Sequence, residues 1–178
     1  MKALLLVALS GCVLDFVSAG RHPSVGELGI NTRRFTPDQA APVAFRTSDP
    51  PPPSAAPSGT ATTATLRFTQ SSGGPLFVGG EAEVGHLESS RSNVAGGYAV
   101  IGARGVFGAG SVGVELAGGW RSVRTDVDAP DYARLVAEPR ARAELWLARQ
   151  LSIGAAIGAS LGEQVWMAGV YLGIHSSR

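Results

Sequence analysis

Two glycine-rich segments have the residue spacing of turns that carry chemistry in other proteins. Residues 108–113 (GAGSVG) fit the GxGxxG pattern of dinucleotide-binding turns, and residues 158–162 (GASLG) fit the GxSxG turn that presents a nucleophilic serine. Both kinds of turn lead from a strand into a helix. The residues after each segment alternate with the period of a strand, so a glycine-rich hairpin turn and a chance match are favoured. Ser160 is therefore not predicted to be catalytic, and no catalytic residue is assigned.

The three histidines give no metal-binding pattern. His22, His86 and His175 are far apart and have no cysteine or paired acidic residue at ligand spacing. His86 lies close to Glu88 and Ser89, which are ingredients of an envelope lipid hydrolase, but no regular spacing links them and a polar loop edge is favoured. We therefore expect no metal and no cofactor.

Charge and hydrophobicity exclude two further classes of protein. Lys and Arg number 15 and Asp and Glu number 14, so the net charge of +1 gives no field that would attract nucleic acid, and no nucleic-acid partner is predicted. Charged residues make up 16% of the chain, whereas soluble globular domains average about 25%. An ordinary cytosolic enzyme is therefore not the expected class.

The N-terminus has the residue order of a secretory signal peptide. Lys2 precedes an apolar run at 3–9, within a predicted leader of residues 1–19. The segment 9–12 (LSGC) also resembles the bacterial lipobox, which implies that Cys12 is lipidated and anchors the mature chain. The alternative is cleavage after Ala19. Because Cys12 is the only cysteine of the sequence, no disulfide can form within the chain.

Proline and glycine divide the rest of the chain near residue 60. Eight of the 11 prolines precede residue 58, whereas 19 of the 24 glycines lie between Gly73 and Gly173. Residues 20–61 are therefore predicted to be a disordered proline-rich linker or loop, and residues 62–178 are predicted to form the folded domain.

The folded domain has the alternating pattern of β-strands. Apolar residues occupy every second position, and the positions between them carry glycine, serine, glutamate and arginine. No stretch has a helical period of competing length, so the pattern predicts an all-β fold with seven strands after residue 62. The predicted strands lie near residues 65–70, 76–85, 94–107, 112–121, 138–147, 151–161 and 164–174.

The polar face of these strands indicates which face meets water. It combines small residues with nearly balanced charges, which suits a narrow enclosed lumen. A charge on the lipid face at mid-bilayer would cost about 2 to 4 kcal/mol, which explains why the mid-strand charges keep to one face. The alternative is a soluble sheet with a solvated, arginine-rich face. We predict a lumen charge network of Glu81, Glu83, Arg104, Glu115, Arg121, Glu138, Arg140, Arg142 and Glu144.

The connections favour a barrel with short turns at one end and long loops at the other. Residues 108–110 and 148–150 form short connections, whereas 122–132 is long and polar. If the C-terminus is periplasmic, the strand that begins near Thr65 starts outside, so an eighth strand is needed upstream, and residues 41–47 are the candidate. The segment 49–60 would then be a surface loop.

With this pattern over residues 62–176, the chain resembles the small eight-stranded outer-membrane barrels, the OmpA-like proteins. Residues 169–174 (GVYLGI) resemble the C-terminal insertion signal of outer-membrane proteins. The resemblance implies an antiparallel up-and-down transmembrane β-barrel of about eight strands in the cell outer membrane. It also implies two partners, outer-membrane lipid and, during insertion, the barrel-assembly machinery.

An eight-stranded barrel leaves an interior just wide enough for side chains, so bulk transport is not expected. We predict a structural or surface-contact role, through the outer loops at 88–93 and 122–132, rather than catalysis. Two alternatives stay open. One is a lipid-anchored periplasmic soluble β-barrel that binds a small apolar ligand, and the other is an envelope lipid-modifying enzyme that uses Ser89, Ser160 or His86.

Overall fold

Eight strands make up most of the residues that the computed structural model describes, which are 24–36, 57–71, 74–88, 92–124, 132–161 and 164–176. The predicted leader with Cys12, the candidate strand 41–47 and Ser89 lie outside these residues. In chain order the strands are β1 (Ser24–Phe35), β2 (Gly59–Ser71), β3 (Leu76–Leu87), β4 (Ser92–Phe107), β5 (Gly110–Arg124), β6 (Tyr132–Ala148), β7 (Leu151–Ala159) and β8 (Val165–His175).

The strands form one closed sheet. Each strand pairs antiparallel with the next along the chain, and β8 pairs with β1, so the sheet is an up-and-down barrel. The predicted fold class is confirmed. None of the described residues forms a helix, so this part of the chain has no helix long and apolar enough to cross a membrane.

Alternation gives every strand an outer face and a lumen face. On β3, Leu76, Val78 and Val84 point outward and are 57% to 62% exposed, whereas Glu81 and Glu83 point into the lumen and are at most 8% exposed. A shift of one residue in the pairing would move every charge to the outer face, so the pattern fixes the register. The barrel is therefore inside-out relative to a soluble β protein.

The first strand lies where the sequence indicates a linker or loop. Residues 24–35 close the barrel by pairing with β2 on one side and with β8 on the other. The prediction that residues 20–61 form a linker or loop is wrong for this strand, and no strand at 41–47 is needed to reach eight. The sequence pattern of this strand is weak, because Leu28 and Ile30 are the only large apolar residues on its outer face.

The two-residue connections lie at one end of the barrel, and the longest connection, from β1 to β2, lies at the other. The connections at 72–75, 108–109 and 149–150 are at the end where β1 begins and β8 finishes, which we call the turn end. The connections from β1 to β2, β3 to β4, β5 to β6 and β7 to β8 are at the other end, the loop end. Because β4 begins at Ser92 and β5 extends to Arg124, the predicted outer loops at 88–93 and 122–132 are shorter than expected.

Candidate functional site

Glutamate and arginine side chains fill the lumen. All nine residues of the predicted charge network point inward, and Glu27, Arg33 and Arg67 join them from β1 and β2. We call these twelve residues the lumen network. Burying charges is costly unless opposite charges pair and hydrogen-bond with them, and the contacts below join both signs across the barrel.

Glu138 on β6 is the centre of the network toward the loop end. Its Oε2 accepts hydrogen bonds from Arg33 Nη1 at 2.7 Å and from Arg121 Nη2 at 2.7 Å, and its Oε1 accepts one from Arg140 Nε at 2.7 Å. Ser160 Oγ also donates to Oε2 at 3.0 Å. One fully buried carboxylate therefore joins arginines from β1, β5 and β6.

Tyr98 on β4 packs against the same arginines. Its hydroxyl donates to Glu83 Oε2 at 2.7 Å and accepts from Arg121 Nε at 3.0 Å, and Arg33 Nε also donates to Glu83. The guanidinium carbons of Arg33, Arg121 and Arg140 lie 6.0, 5.7 and 5.5 Å from the centre of the Tyr98 ring. Cation–π attraction acts at these distances, so the ring stabilises three neighbouring cations.

Two further pairs continue the network toward the turn end. Arg67 on β2 and Glu115 on β5 form a bidentate pair across the lumen, with Nη1 to Oε1 and Nη2 to Oε2 both at 2.6 Å. Arg140 Nη1 donates to Glu81 Oε2 at 2.7 Å. Because Arg140 also contacts Glu138, it connects the two halves of the network.

A small cavity remains near the turn end. Arg142 donates to Glu27, and its guanidinium carbon lies 4.0 Å from the centre of the Tyr171 ring. The cavity beside them has a volume of about 20 Å³, and Arg104 and Glu144 also line it. A volume of that size holds about one water molecule, so no solute fits there.

A serine, a histidine and a glutamate meet at the turn end of the lumen. His175 Nε2 lies 2.8 Å from Ser152 Oγ and 2.8 Å from Glu144 Oε1, and Ser111 Oγ donates to Glu144 Oε2 at 2.9 Å. In a hydrolytic triad the acid and the nucleophile contact opposite ring nitrogens. Here both contact the same nitrogen, and Ser152 is fully buried. The cluster therefore ties β5, β6, β7 and β8 together and presents no nucleophile.

The two glycine-rich motifs form connections between strands. Residues 108–113 turn from β4 into β5, and Gly108 has a φ of 51°, a left-handed conformation that favours glycine. Of the second motif, residues 158–161 are described, and they continue from the end of β7 without forming a helix. Ser160 contacts Glu138, and His86 belongs to the outer face of β3, so these two candidates of the enzyme alternative are not brought together.

An apolar cluster fills the lumen at the loop end. Every strand except β7 contributes one residue to it, and these residues are at most 7% exposed. The cluster covers the buried ions on the loop side of the barrel, and we call it the apolar plug. It consists of Phe35, Ala61, Leu87, Val94, Val123, Tyr132 and Val165.

Sequence reasoning missed the parts of the site that come from β1, β2 and the end of β8. Arg67 lies between the outward Leu66 and Phe68, which is the same alternation that identified the other charges. His175 gave no signal, because its partners Glu144 and Ser152 are 31 and 23 residues away.

Three solved outer-membrane proteins share this architecture. The attachment invasion locus protein Ail of Yersinia pestis has a TM-score of 0.55 and 12% identity, over 87% of this chain and 97% of that chain. The fold is that of the small outer-membrane β-barrels. Neisserial surface protein A has a TM-score of 0.56 and 8% identity, over 87% and 97% of the two chains.

The third is the N-terminal β-barrel domain of Pseudomonas aeruginosa OprF, with a TM-score of 0.55 and 12% identity over 87% and 98% of the two chains. No family model matches the sequence, and no curated protein matches it. At these identities the similarity shows the fold alone.

Proposed function

We propose that this protein spans the outer membrane as a small β-barrel with a structural or surface-contact role. The outer wall carries the proposal. Large apolar side chains from five different strands are more than half exposed there: Leu28 63%, Leu66 66%, Val78 57%, Val114 64% and Ile157 62%. A monomeric soluble protein rarely exposes so large a contiguous apolar surface, whereas hydrocarbon is its favoured surrounding.

Polar side chains lie at both edges of this apolar belt. On β2 the outward residues run from Thr62 through Leu66 and Phe68 to Gln70. Near the loop end Trp120 and Trp166 also face outward, at 43% and 60% exposure. Tryptophan at such an edge is typical of the interface between hydrocarbon and lipid headgroups. Tyr98 and Tyr171 point into the lumen instead and are buried.

The lumen supports a role other than transport. The lumen network occupies its middle, the apolar plug covers it at the loop end, and the cavity near the turn end has a volume of only about 20 Å³. Removing ions this well paired from one another would be costly, so the lumen does not open readily.

The loop end supports a role in surface contact. A membrane-spanning strand needs about 9 to 11 residues. β5 and β6 have 15 and 17 residues, and toward the loop end they stay paired, from Gly119 with Val136 to Val123 with Tyr132, beyond the last pairing of β6 with β7. These extensions form a stiff rim above the apolar belt, on which the connections at that end would meet partners outside the cell.

The soluble alternative has little support from this arrangement. A barrel that binds a small apolar ligand in water needs an apolar lumen and a polar outer wall. The described lumen holds paired ions, and the described outer wall is apolar. For the enzyme alternative, the candidate Ser160 is buried in the lumen, and so is Ser152 beside His175, so neither hydroxyl is accessible to a lipid substrate.

Export and insertion complete the proposal. Residues 1–19 would direct the chain out of the cytoplasm, and Cys12 would be lipidated. The predicted insertion signal at 169–174 forms most of β8, whose outward residues include Val170, Leu172 and Ile174. Because β8 closes the barrel against β1, we expect the barrel-assembly machinery to recognise this strand.

Carbonate extraction and gel mobility test the proposed function. Cell envelopes are washed with carbonate, and samples are compared on a detergent gel before and after boiling. We expect the protein to stay in the membrane pellet and to migrate differently when unboiled. Protein denatured in urea and mixed with empty envelopes is the control, and it should wash off. A native chain that washes off, or that shows no heat-dependent mobility, would contradict the proposal.

A further inference from the structure

A groove crosses the outer wall near the turn end. Ala143 on β6 pairs with Ala155 on β7, and the next outward pair toward the turn end is Leu145 with Ile153. Val170 on β8 pairs with Ala155 from the other side. Two small side chains among larger ones leave a groove of about 460 Å³, and almost all of its lining is apolar.

A positive charge lies in the turn that joins two strands of this groove. The strands β6 and β7 that form it are joined by the turn Arg149–Gln150, and Arg149 is exposed. The described residues of the other two connections at the turn end are Gly74, Pro75, Gly108 and Ala109, which carry no charge. Among the described turn residues, Arg149 is therefore the one cation at this edge of the apolar belt.

We propose that the groove binds one acyl chain of a phospholipid from the leaflet at the turn end, with the lipid phosphate on Arg149. This inference rests on the proposed function, because the groove faces hydrocarbon only if the barrel spans a membrane. The volume lies in the range of about 300 to 1,000 Å³ that is usual for sites that bind small molecules. An exposed basic side chain beside a bilayer attracts anionic headgroups. The acyl chain would therefore contact the apolar groove, and the phosphate would contact Arg149.

A second copy of the chain fits the groove less well than a lipid does. A two-fold contact places the same patch of each subunit against itself, so groove would face groove. Such a contact would also bring the two copies of Arg149 near one another, and like charges repel. A single acyl chain can enter the groove, and its phosphate attracts Arg149 rather than repelling it.

Native mass spectrometry of the detergent-purified, folded barrel tests the inference. The added lipids are dioleoylphosphatidylglycerol and dioleoylglycerol, which share acyl chains and differ in the phosphate. We expect the natural protein to retain one phosphatidylglycerol. Ala155→Leu fills the groove and should abolish retention, whereas Ala64→Leu, an outward alanine of β2 on another part of the wall, should leave it unchanged.

The charge is tested by a second pair of variants. Arg149→Gln should lower retention of phosphatidylglycerol about fivefold, the effect of one basic residue at an anionic lipid surface. It should leave retention of dioleoylglycerol unchanged. Arg34→Gln removes an exposed arginine near the loop end of β1 and is the control.

Three results would overturn the inference while leaving the proposed function intact. They are a heat-modifiable barrel that retains no lipid, equal retention by Ala155→Leu and Ala64→Leu, and a dimer that Ala155→Leu abolishes. Equal retention of phosphatidylglycerol by Arg149→Gln and Arg34→Gln would overturn the assignment of the phosphate. A natural protein without heat-dependent mobility would reject the proposed function and this inference together.

Discussion

At the scale of single residues, Glu138 accepts hydrogen bonds from three buried arginines on three strands. Replacing it by glutamine removes the negative charge next to Arg33, Arg121 and Arg140, which stay buried. Removing one partner of a buried ion pair typically costs about 3 to 5 kcal/mol, and we expect Glu138→Gln to lower the free energy of unfolding by that amount. Urea unfolding of the barrel refolded into liposomes, followed on unboiled gels, measures it.

An exposed glutamate provides the control for this prediction. Glu88 follows β3 at the loop end and is exposed. Glu88→Gln makes the same chemical change at the surface, where substitutions usually alter stability by less than about 0.5 kcal/mol. Similar small effects of Glu138→Gln and Glu88→Gln would show that the lumen network contributes little to stability.

At the scale of the strand, two adjacent glycines of β5 face opposite sides of the barrel wall. A Cβ atom on Gly119 would lie 2.0 Å from the carbonyl oxygen of Gly97, whereas one on Gly118 would meet nothing within 4 Å. Gly119→Ala forces the backbone apart, and such overpacking costs about 1 to 3 kcal/mol. Gly118→Ala should instead stabilise the strand by about 0.5 to 1 kcal/mol, because glycine loses more backbone freedom on folding than alanine does.

The same unfolding measurement compares the two glycine variants. Both variants replace glycine by alanine at neighbouring positions. They differ in which face of the wall the new methyl group points to. A loss of stability in Gly118→Ala as large as in Gly119→Ala would contradict the assignment of faces on β5, and with it the register of its neighbours.

Strands were predictable from the sequence where both of their faces carry a signal. β3 alternates Leu76, Val78 and Val84 with Glu81 and Glu83, so both its location and its lumen residues follow from the alternation. This alternation alone was sufficient to predict that the nine charged residues face the lumen. The ion pairs among these residues could not be predicted from alternation, because which arginine contacts which glutamate depends on strand register and on the curvature of the closed sheet.

β1 shows where the sequence signal ended. Its outer face becomes polar after Ile30, and the proline-rich segment that follows made the whole region resemble a linker. The pairing of β1 with β8 comes from closure of the sheet, which brings together residues at least 130 positions apart. Alternation within one strand carries no information about such a contact. The lumen position of Arg33 was not predicted for a related reason, because the sequence did not indicate that its segment is a strand.

At the scale of the whole molecule, the barrel should be closed to ions. Purified protein inserted into a planar bilayer is expected to produce no stable current steps, because the lumen network and the apolar plug block the lumen in series. Protein denatured in urea before addition is the control for disturbance of the bilayer by detergent. Stable steps whose frequency rises with the amount of folded protein would contradict a closed lumen.

The environment of the outer wall is tested by placing the same charge at two depths on one strand. Leu66 and Thr62 both point outward on β2, with Leu66 in the apolar belt and Thr62 nearer the loop end. In a membrane, Leu66→Arg should cost about 2 to 4 kcal/mol and Thr62→Arg about 0 to 1 kcal/mol, because the penalty depends on depth. In water both substitutions would stay within about 0.5 kcal/mol, because both sites are exposed. Unfolding from liposomes measures the free energy of unfolding of each variant, and the difference between the two variants distinguishes a membrane from water. Equal small losses of stability would mean that the outer wall does not face hydrocarbon.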